Sequence, residues 1–319
     1  MQLMGHFLRL LRWPNLVFIA ITQVLFHFCV VLPAANGQTT SFPLQLQLQY
    51  FWMLCGASML IAGAGYIIND YFDINIDQVN KPDKMVVEKI ITRRAAIFWH
   101  WLFSGIGIAI SAYISFKLRN PILFIGNCAC VLLLWVYSTT YKRRLIIGNV
   151  LISLMTAWVV LVLLIAEVPG WFIGSSYLEI ERASAARLSR IGVLYASFAF
   201  VLSLVREVVK DMEDMEGDRK EHCRTLPIVF GVNAAKVFAG TWLFILVAML
   251  LIMEVYVLLF GWWYFALYIT ILVVIPLVYL FKKLFDANDI KAYHTISSQI
   301  KWVMLTGIFS MLFFLLYTR

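Results

Sequence analysis

Nine apolar runs, each long enough to cross a bilayer, constrain the fold of this chain more than any other feature. A membrane-spanning helix needs about 20 predominantly apolar residues. The runs fall near 15–33, 47–69, 95–116, 121–140, 145–167, 191–209, 233–256, 262–281 and 299–317. Only 14% of the residues are charged, against about 25% in soluble domains. We therefore expect an all-α, multi-pass membrane protein of about nine helices around a central cavity, forming a single domain over residues 1–319.

Lysine and arginine are distributed unevenly between the two sides that nine spans define. The side that carries the N-terminus holds 20 of the 26 basic residues. Because positive residues collect on the cytoplasmic side of a membrane, we expect an inner (plasma) membrane protein with a cytoplasmic N-terminus. The same bias accounts for the net charge of +8 without any nucleic acid, and nothing in the sequence implies a protein partner.

Cysteine and histidine show no ligand pattern. The chain has five of each, and their spacings are not those of zinc or haem sites. Cys128 and Cys130 lie close in sequence, but a helix would turn their side chains about 200° apart. We expect the cysteines in apolar runs to be ordinary core residues.

The acidic residues are concentrated in two short segments. Five of the 18 aspartates and glutamates fall in 70–88 and seven in 207–221. Both segments follow spans on the positively charged side, so the positive-inside rule does not explain them. For one such segment alone, the alternative explanation is that its acids are loop residues that only solvate the end of a helix. Two segments on the same side favour a binding site.

Each acidic segment places its side chains on one helical face. With about 100° per residue, Asn69, Asp70, Asp73 and Asp77 fall within about 100° of arc. In the second segment Glu207, Asp211, Asp214 and Asp218 fall within about 60°. The opposite face of that segment carries Glu213 and Glu216, which we expect to point to water.

Carboxylates stacked in this way repel one another, and the repulsion grows near the low-dielectric membrane. A multivalent cation reverses the sign of that energy. Mg²⁺ takes oxygen ligands and binds one or two carboxylates together with waters and substrate phosphates. Two carboxylate faces that meet across a cavity would suit two ions bridging one diphosphate.

Basic residues flank both segments. Arg93 and Arg94 follow the first segment, and a cluster from Lys142 to Arg144 lies in the next loop on that side. Such cations would stabilise a leaving diphosphate, whose charge grows as its bond breaks. The positive-inside rule is the alternative explanation for each of them.

The pattern Asn69-Asp70-x-x-Asp73-x-x-x-Asp77, paired with Asp211-x-x-Asp214-x-x-x-Asp218, resembles the two signatures of the UbiA superfamily of intramembrane prenyltransferases. Both signatures follow the expected spans, the second and the sixth. Arg206 to Asp211 and Thr225-Leu226-Pro227 are similar to the digeranylgeranylglyceryl phosphate synthase branch. The sequence departs from that branch at Val86 to Lys89, where the family commonly has a Pro- and Gly-containing stretch.

The resemblance implies magnesium-dependent transfer of a polyprenyl group, geranylgeranyl in this branch, from its diphosphate to a membrane-associated acceptor. It implies that Mg²⁺ is held by six residues: Asn69, Asp73, Asp77, Asp211, Asp214 and Asp218. Asp73, Asp77, Asp211 and Asp214 would be the catalytic residues among them. The residues expected to bind substrate are Asn69, Lys81, Lys142, Lys210, Arg224 and Tyr137. Ionisation of the donor would leave an allylic cation, which aromatic faces can stabilise.

Two alternatives remain open from the sequence. The acceptor is either the hydroxyl of a prenylglyceryl phosphate or an electron-rich ring, such as a quinone precursor or a haem-like ring. A divalent cation transporter is the alternative from another class, but it would want acids at mid-membrane depth, whereas these acids gather at one face. Glu167 and Glu254 lie near the opposite ends of their spans, and we expect them to reach the membrane interface.

Overall fold

The computed structural model of the protein describes residues 2–37, 40–41, 44–80, 82, 85–168 and 179–317. Within these residues nine helices are long and apolar enough to cross a membrane. This number and the helical fold class agree with the prediction from hydropathy. A two-residue antiparallel pairing of Asn36–Gly37 (β1) with Thr40–Ser41 (β2) is the extended structure that accompanies them.

The described residues form thirteen helices besides a short 3-10 turn at Tyr141–Arg143, and nine of the thirteen are spans. The chain starts with a short helix, α1 (Gln2–Leu10), before the first span. The spans are α2 (Trp13–Ala35), α3 (Leu48–Phe72), α5 (Arg93–Leu118), α6 (Pro121–Thr139), α7 (Ile147–Glu167), α8 (Glu179–Glu213, spanning from Ala185), α11 (Val232–Leu259), α12 (Trp263–Asp286) and α13 (Ile290–Tyr317). The short helices on the loops are α4 (Ile74–Asn80), α9 (Met215–Lys220) and α10 (Leu226–Phe230).

Local sequence explains where several spans begin. Asn120 caps α6, where its Oδ1 accepts the Ile122 N–H at 3.2 Å and Pro121 occupies the first helical position. Thr92 and Asp289 cap α5 and α13 by the same bond to a backbone N–H two or three residues on. These caps satisfy donors that the first helical turn leaves unpaired.

The spans enclose a cavity that is lined by residues of both acidic segments. The long span α8 packs against α7, α11 and α13, while α3 packs against α5 and α6. The small Gly65 favours close approach of α3 and α6, because a Cβ there would lie 2.9 Å from Leu134 Cδ1 and the leucine side chain would have to move. Large side chains such as Phe116 and Leu259 are exposed on the outer surface of the bundle, as lipid-facing residues would be. The face at which α4, α9 and α10 lie is called the motif face below.

Candidate active site

The two acidic segments have the same backbone geometry. The span α3 is interrupted at Asp73 (φ −91°, ψ 2°) and α8 is interrupted at Asp214 (φ −95°, ψ 6°), each just before a short helix begins. The Asp77 N–H still donates to the Asp73 carbonyl at 2.8 Å, and the Asp218 N–H donates to the Asp214 carbonyl at 3.2 Å. The helical projection assumed a continuous helix through each motif, and this was wrong. The backbone hydrogen bond across each break nevertheless keeps the last aspartate of each motif on the cavity side.

Asn80 joins the two motifs. Its Nδ2 donates to the Asp214 carbonyl at 3.0 Å, and its Oδ1 accepts the Gly217 N–H at 2.9 Å. Gly217 has to be glycine for this contact, since a Cβ would lie 2.6 Å from Asn80 Nδ2. Sequence reasoning assigned Asn80 no role, although it lies seven residues after Asp73, which is two helical turns on the same face.

Asp73 is the most deeply buried carboxylate of the first motif, with 4% of its surface exposed. It accepts a hydrogen bond from Asn69 Nδ2 at 2.7 Å and forms an ion pair with Lys142 Nζ. Burial by itself lowers the pKa of Lys142, but the combined attraction of the surrounding groups, Asp73 first, outweighs burial and raises the pKa above its ordinary value. A cation therefore lies against one side of this carboxylate, and the role of Lys142 in binding substrate stays a prediction.

Asp70 has a different environment from the other acids of its motif. Its Oδ1 accepts from Arg12 Nη2 at 2.7 Å, and the Arg12 guanidinium lies 5.2 Å from the centre of the Tyr66 ring. Asp70 is not among the residues that line the cavity, whereas Arg12 is. Asp70 therefore anchors the start of α2 to the first motif, which leaves ligand positions to its neighbours.

The second motif is held by a neighbouring span. Asp211 accepts from Asn149 Nδ2, on α7, at 2.8 Å. One turn earlier Glu207 accepts from Arg206 Nη1 at 3.2 Å, and its other oxygen lies 3.9 Å from Lys210 Nζ. Sequence reasoning also missed Asn149. Its position near the start of α7, directly after the basic loop Lys142 to Arg144, was the sequence signal that could have identified it.

A single cavity of about 320 Å³ lies between the motifs. The predicted metal ligands that line it are Asn69, Asp73, Asp77, Asp211, Asp214 and Asp218. Lys142, Lys210 and Tyr137 line it as well, and its deep end is apolar, with Ile61 and Trp158 among the lining residues. The Trp158 Nε1–H donates to Asn127 Oδ1 at 2.9 Å, which fixes the indole there.

One predicted substrate-binding residue lies outside the cavity. Arg224 has an exposed side chain and does not line the cavity, although its N–H donates to the Arg143 carbonyl at 2.9 Å. Lys81 lies outside the described residues. Besides Lys142 and Lys210, the basic residues that line the cavity are Arg12, Arg206 and a lysine of the last span, Lys301.

Three glutamates differ from their predicted environments. Glu213 has only 10% of its side chain exposed and accepts from His294 Nδ1 at 2.8 Å, so it does not point freely to water, whereas Glu216 is exposed. Glu167 is 1% exposed and accepts the Gln45 and Leu46 N–H groups, at 3.1 and 3.3 Å. Glu254 is also buried and accepts from Thr270. Glu167 and Glu254 therefore stabilise packing rather than reaching the interface.

The residues present fit hard divalent cations. All six predicted ligands offer oxygen atoms, the donor type that Mg²⁺ prefers. Among the described residues no three acidic, histidine or cysteine side chains stand close enough to hold an ion by themselves. Mg²⁺ commonly takes only one or two carboxylates and completes its octahedron with waters and substrate phosphates. Carboxylates spread over two walls of a cavity match that mode.

Comparison with known proteins finds relatives in sequence and in fold. The chain is 30% identical over 227 residues to the digeranylgeranylglyceryl phosphate synthase of Methanosphaera stadtmanae, which covers 71% of this chain and 72% of the relative. A solved structure described as digeranylgeranylglyceryl phosphate synthase in membranes superposes with a TM-score of 0.64, at 23% identity, over 98% of this chain and 99% of that one. A UbiA homologue from Archaeoglobus fulgidus bound to DMAPP and Mg²⁺ has a TM-score of 0.56 at 19% identity, over 94% of this chain and 98% of that one.

The model of the UbiA prenyltransferase family matches residues 24–305, which include both motifs and all but the ends of the bundle. A match of this extent is independent of the geometry described above and points to the same chemistry. It also sets aside the divalent cation transporter. The chain belongs to the UbiA prenyltransferase family.

Proposed function

We propose that this prenyltransferase transfers a geranylgeranyl group from its diphosphate to the free hydroxyl of a prenylglyceryl phosphate in the membrane, with Mg²⁺ as the cofactor. The observation that carries the proposal is that six oxygen-bearing residues from two motifs line one cavity beside Lys142. The name of the Methanosphaera relative supports this choice of donor and acceptor.

The donor's diphosphate lies, in this proposal, between the two motifs. Mg²⁺ held by the six ligands supplies Lewis-acid stabilisation of the charge that develops on the leaving diphosphate. Lys142 and Lys210 add positive charge beside that group. Their positions next to Asp73 and Glu207 support this role. Breaking the carbon–oxygen bond then releases diphosphate and leaves an allylic cation.

The rest of the cavity protects and directs the cation. Tyr137 lines the cavity together with Lys142, so its ring is available to stabilise positive charge on carbon. The apolar deep end, with Ile61 and Trp158, holds the prenyl chain and excludes water that would quench the cation. The acceptor hydroxyl oxygen forms the new carbon–oxygen bond, and its proton leaves with the diphosphate.

The motif face is cytoplasmic in this proposal. Of the 26 basic residues in the chain, 20 lie in the loops and span ends at this face, and this bias supports that orientation. A water-soluble prenyl diphosphate headgroup and Mg²⁺ then reach both motifs from the compartment that supplies them.

The acceptor is tested with purified protein, Mg²⁺, labelled geranylgeranyl diphosphate and a panel of acceptors. The panel contains geranylgeranylglyceryl phosphate, a hydroxybenzoate as quinone precursor, and a haem. We expect a labelled ether product with the glyceryl phosphate alone. Efficient labelling of either ring, with no ether formed, would contradict the proposed acceptor and establish the aromatic alternative.

A further inference from the structure

The connection between α4 and α5 contains the stretch at which the sequence departs from the digeranylgeranylglyceryl phosphate synthase branch. Residues 86–91 of this connection form a closed turn, called the 86–91 turn below. The N–H groups of Ile90 and Ile91 donate to the Val86 carbonyl at 3.0 and 3.1 Å. The Glu88 N–H donates in turn to the Ile91 carbonyl at 2.9 Å. Val86 and Val87 are buried, whereas Ile90 is exposed at the surface.

The two buried valines belong to an apolar cluster that joins several parts of the chain. The other buried members of the cluster are Leu10, Leu11, Ile67, Ile74 and Ala96. Leu10 is the last residue of α1, and Ala96 lies in the first turn of α5. Ile67 lies two residues before Asn69, and Ile74 directly follows Asp73. The cluster therefore connects α1 and the 86–91 turn to the backbone of the first motif.

The helix α1 is docked against both spans that flank this connection. The ring centre of Phe7 lies 5.0 Å from that of Trp99 and 6.2 Å from that of Phe103, both on α5. Leu11 lies against Gly63 on α3, where a Cβ would be 3.3 Å from Leu11 Cδ2. Because Val86 and Val87 complete the same cluster, the 86–91 turn helps to hold α1 in this position.

Arg12 joins α1 to α2 in a conformation that the docked helix imposes. Its backbone is left-handed (φ 50°, ψ 50°), and Glu88 of the 86–91 turn also has a positive φ of 70°. This region is unfavourable for residues with a side chain, so they remain there only where the surrounding structure fixes them. Arg12 is fixed at one end by α1 and at the other by Asp70, whose Oδ1 accepts from Nη2 at 2.7 Å.

We propose that the 86–91 turn positions the first motif by holding α1, and through it Arg12, against Asp70. Val87 and Arg12 are positioning residues, since neither is a predicted metal ligand. When the turn is displaced, Arg12 leaves its left-handed conformation and Asp70 loses its partner. The neighbouring ligands Asn69 and Asp73 then lose the fixed geometry that tight Mg²⁺ binding needs. The inference rests on the proposed function, because it requires Mg²⁺ and the donor's diphosphate at the first motif.

The turn is tested with Val87→Asp, because a buried carboxylate without a partner drives the segment out of the cluster. Ile90→Asp adds the same charge to the same turn at an exposed position and is the matched control. The measurement is a magnesium titration of the equilibrium binding of labelled geranylgeranyl diphosphate, which needs no acceptor. Val87→Asp is expected to raise the half-saturating Mg²⁺ concentration about fivefold or more, near the low end of the effect of residues that orient ligands.

The same titration separates a loss of position from a loss of folding. Ile90→Asp and the conservative Val87→Ile should both give the wild-type curve. High magnesium should restore donor binding in Val87→Asp, since all predicted ligands remain. Should Val87→Asp fail to fold, the milder Val87→Thr, which keeps the shape of the side chain, is expected to shift the curve in the same direction. Coinciding curves for the folded Val87 variant and Ile90→Asp would overturn the proposal.

A double-mutant cycle tests whether the turn acts through Arg12. Asp70→Asn weakens the bond to Arg12 without removing a predicted ligand. If both changes break the same chain of contacts, the double variant Val87→Asp/Asp70→Asn should bind Mg²⁺ within about twofold of the weaker single variant. A double variant whose effect equals the product of the two single effects would show that the turn acts by another route and would contradict the proposal.

Thiol labelling reports the docking of α1 and the turn directly, without donor or Mg²⁺. In a background without the five native cysteines, Ala96→Cys should be protected with the wild-type turn and with Ile90→Asp, and should react in Val87→Asp. Protection in Val87→Asp together with weakened Mg²⁺ binding would overturn the proposal. Wild-type protein that shows no magnesium-dependent donor binding would refute the proposed function itself, whereas normal wild-type binding with unshifted variants would refute only the role of the turn.

Discussion

Replacing Asn80 by alanine should weaken magnesium binding without removing a ligand. Asn80 bonds the carbonyl of Asp214 and the N–H of Gly217, so it holds the second motif against the first. Both bonds go to backbone atoms of the second motif, so the substitution removes no predicted metal ligand. Its loss therefore tests whether the two motifs have to be held in register to form one site.

The magnitude follows from the two bonds. Each hydrogen bond of this kind contributes about 0.5–1.5 kcal/mol, so removal of both costs about 1–3 kcal/mol. Mutation of residues that orient metal ligands typically lowers metal affinity by about 10- to 100-fold, which corresponds to about 1.4–2.7 kcal/mol. The two estimates agree. We expect Asn80→Ala to raise the Mg²⁺ concentration for half-maximal activity by about tenfold or more.

The assay is a magnesium titration of the initial rate at saturating labelled geranylgeranyl diphosphate. Asn75→Ala is the matched control, because Asn75 lies on the same short helix with an exposed side chain. High magnesium should restore most of the rate in Asn80→Ala, since all ligands remain. A titration curve that coincides with that of Asn75→Ala would refute the view that Asn80 registers the motifs.

Three further predictions concern the glutamates outside the cavity, the selectivity for donor chain length and the orientation of the protein in the membrane. Glu213→Gln and Glu216→Gln should each change turnover by less than about threefold, under about 1 kcal/mol, because neither lines the cavity; a loss as large as that of a motif aspartate would contradict this. Trp158→Ala should raise the relative kcat/KM for a donor one isoprene unit longer by about tenfold, measured by competition between donors, and an unchanged ratio would show that the chain ends elsewhere. In a background without the five native cysteines, Asn75→Cys should react with an impermeant thiol reagent only after the membrane is opened and Ser184→Cys in intact cells, whereas the reverse would invert the topology.

Hydropathy was sufficient to predict the nine spans, because a bilayer requires long, locally encoded apolar runs. The acidic motifs were also predictable, since i, i+3 and i+4 spacing places residues on one face of a helix. That spacing survives the breaks at Asp73 and Asp214 because a backbone bond crosses each one. Local periodicity was therefore a good guide to which residues share the cavity.

Contacts between distant segments were not predictable in the same way. Asn80 meets Gly217, 137 residues away, and Asn149 meets Asp211, 62 residues away. Such pairs depend on how the spans pack against one another. The local sequence around either residue does not show which distant residue it will contact. Glu167 was wrongly expected at the interface for the same reason, because its partners belong to the segment before the second span.

The central claim is that both aspartate motifs act together on one magnesium-bound diphosphate. It is tested most directly by the rate of geranylgeranyl transfer in Asp73→Ala and Asp214→Ala, with and without Mg²⁺. We predict no transfer by the wild-type protein without a divalent ion, and less than about a tenth of its rate in each variant, a loss above about 1.4 kcal/mol. A variant from either motif that is folded and retains more than a tenth of the rate, or transfer that continues in excess chelator, would contradict the account.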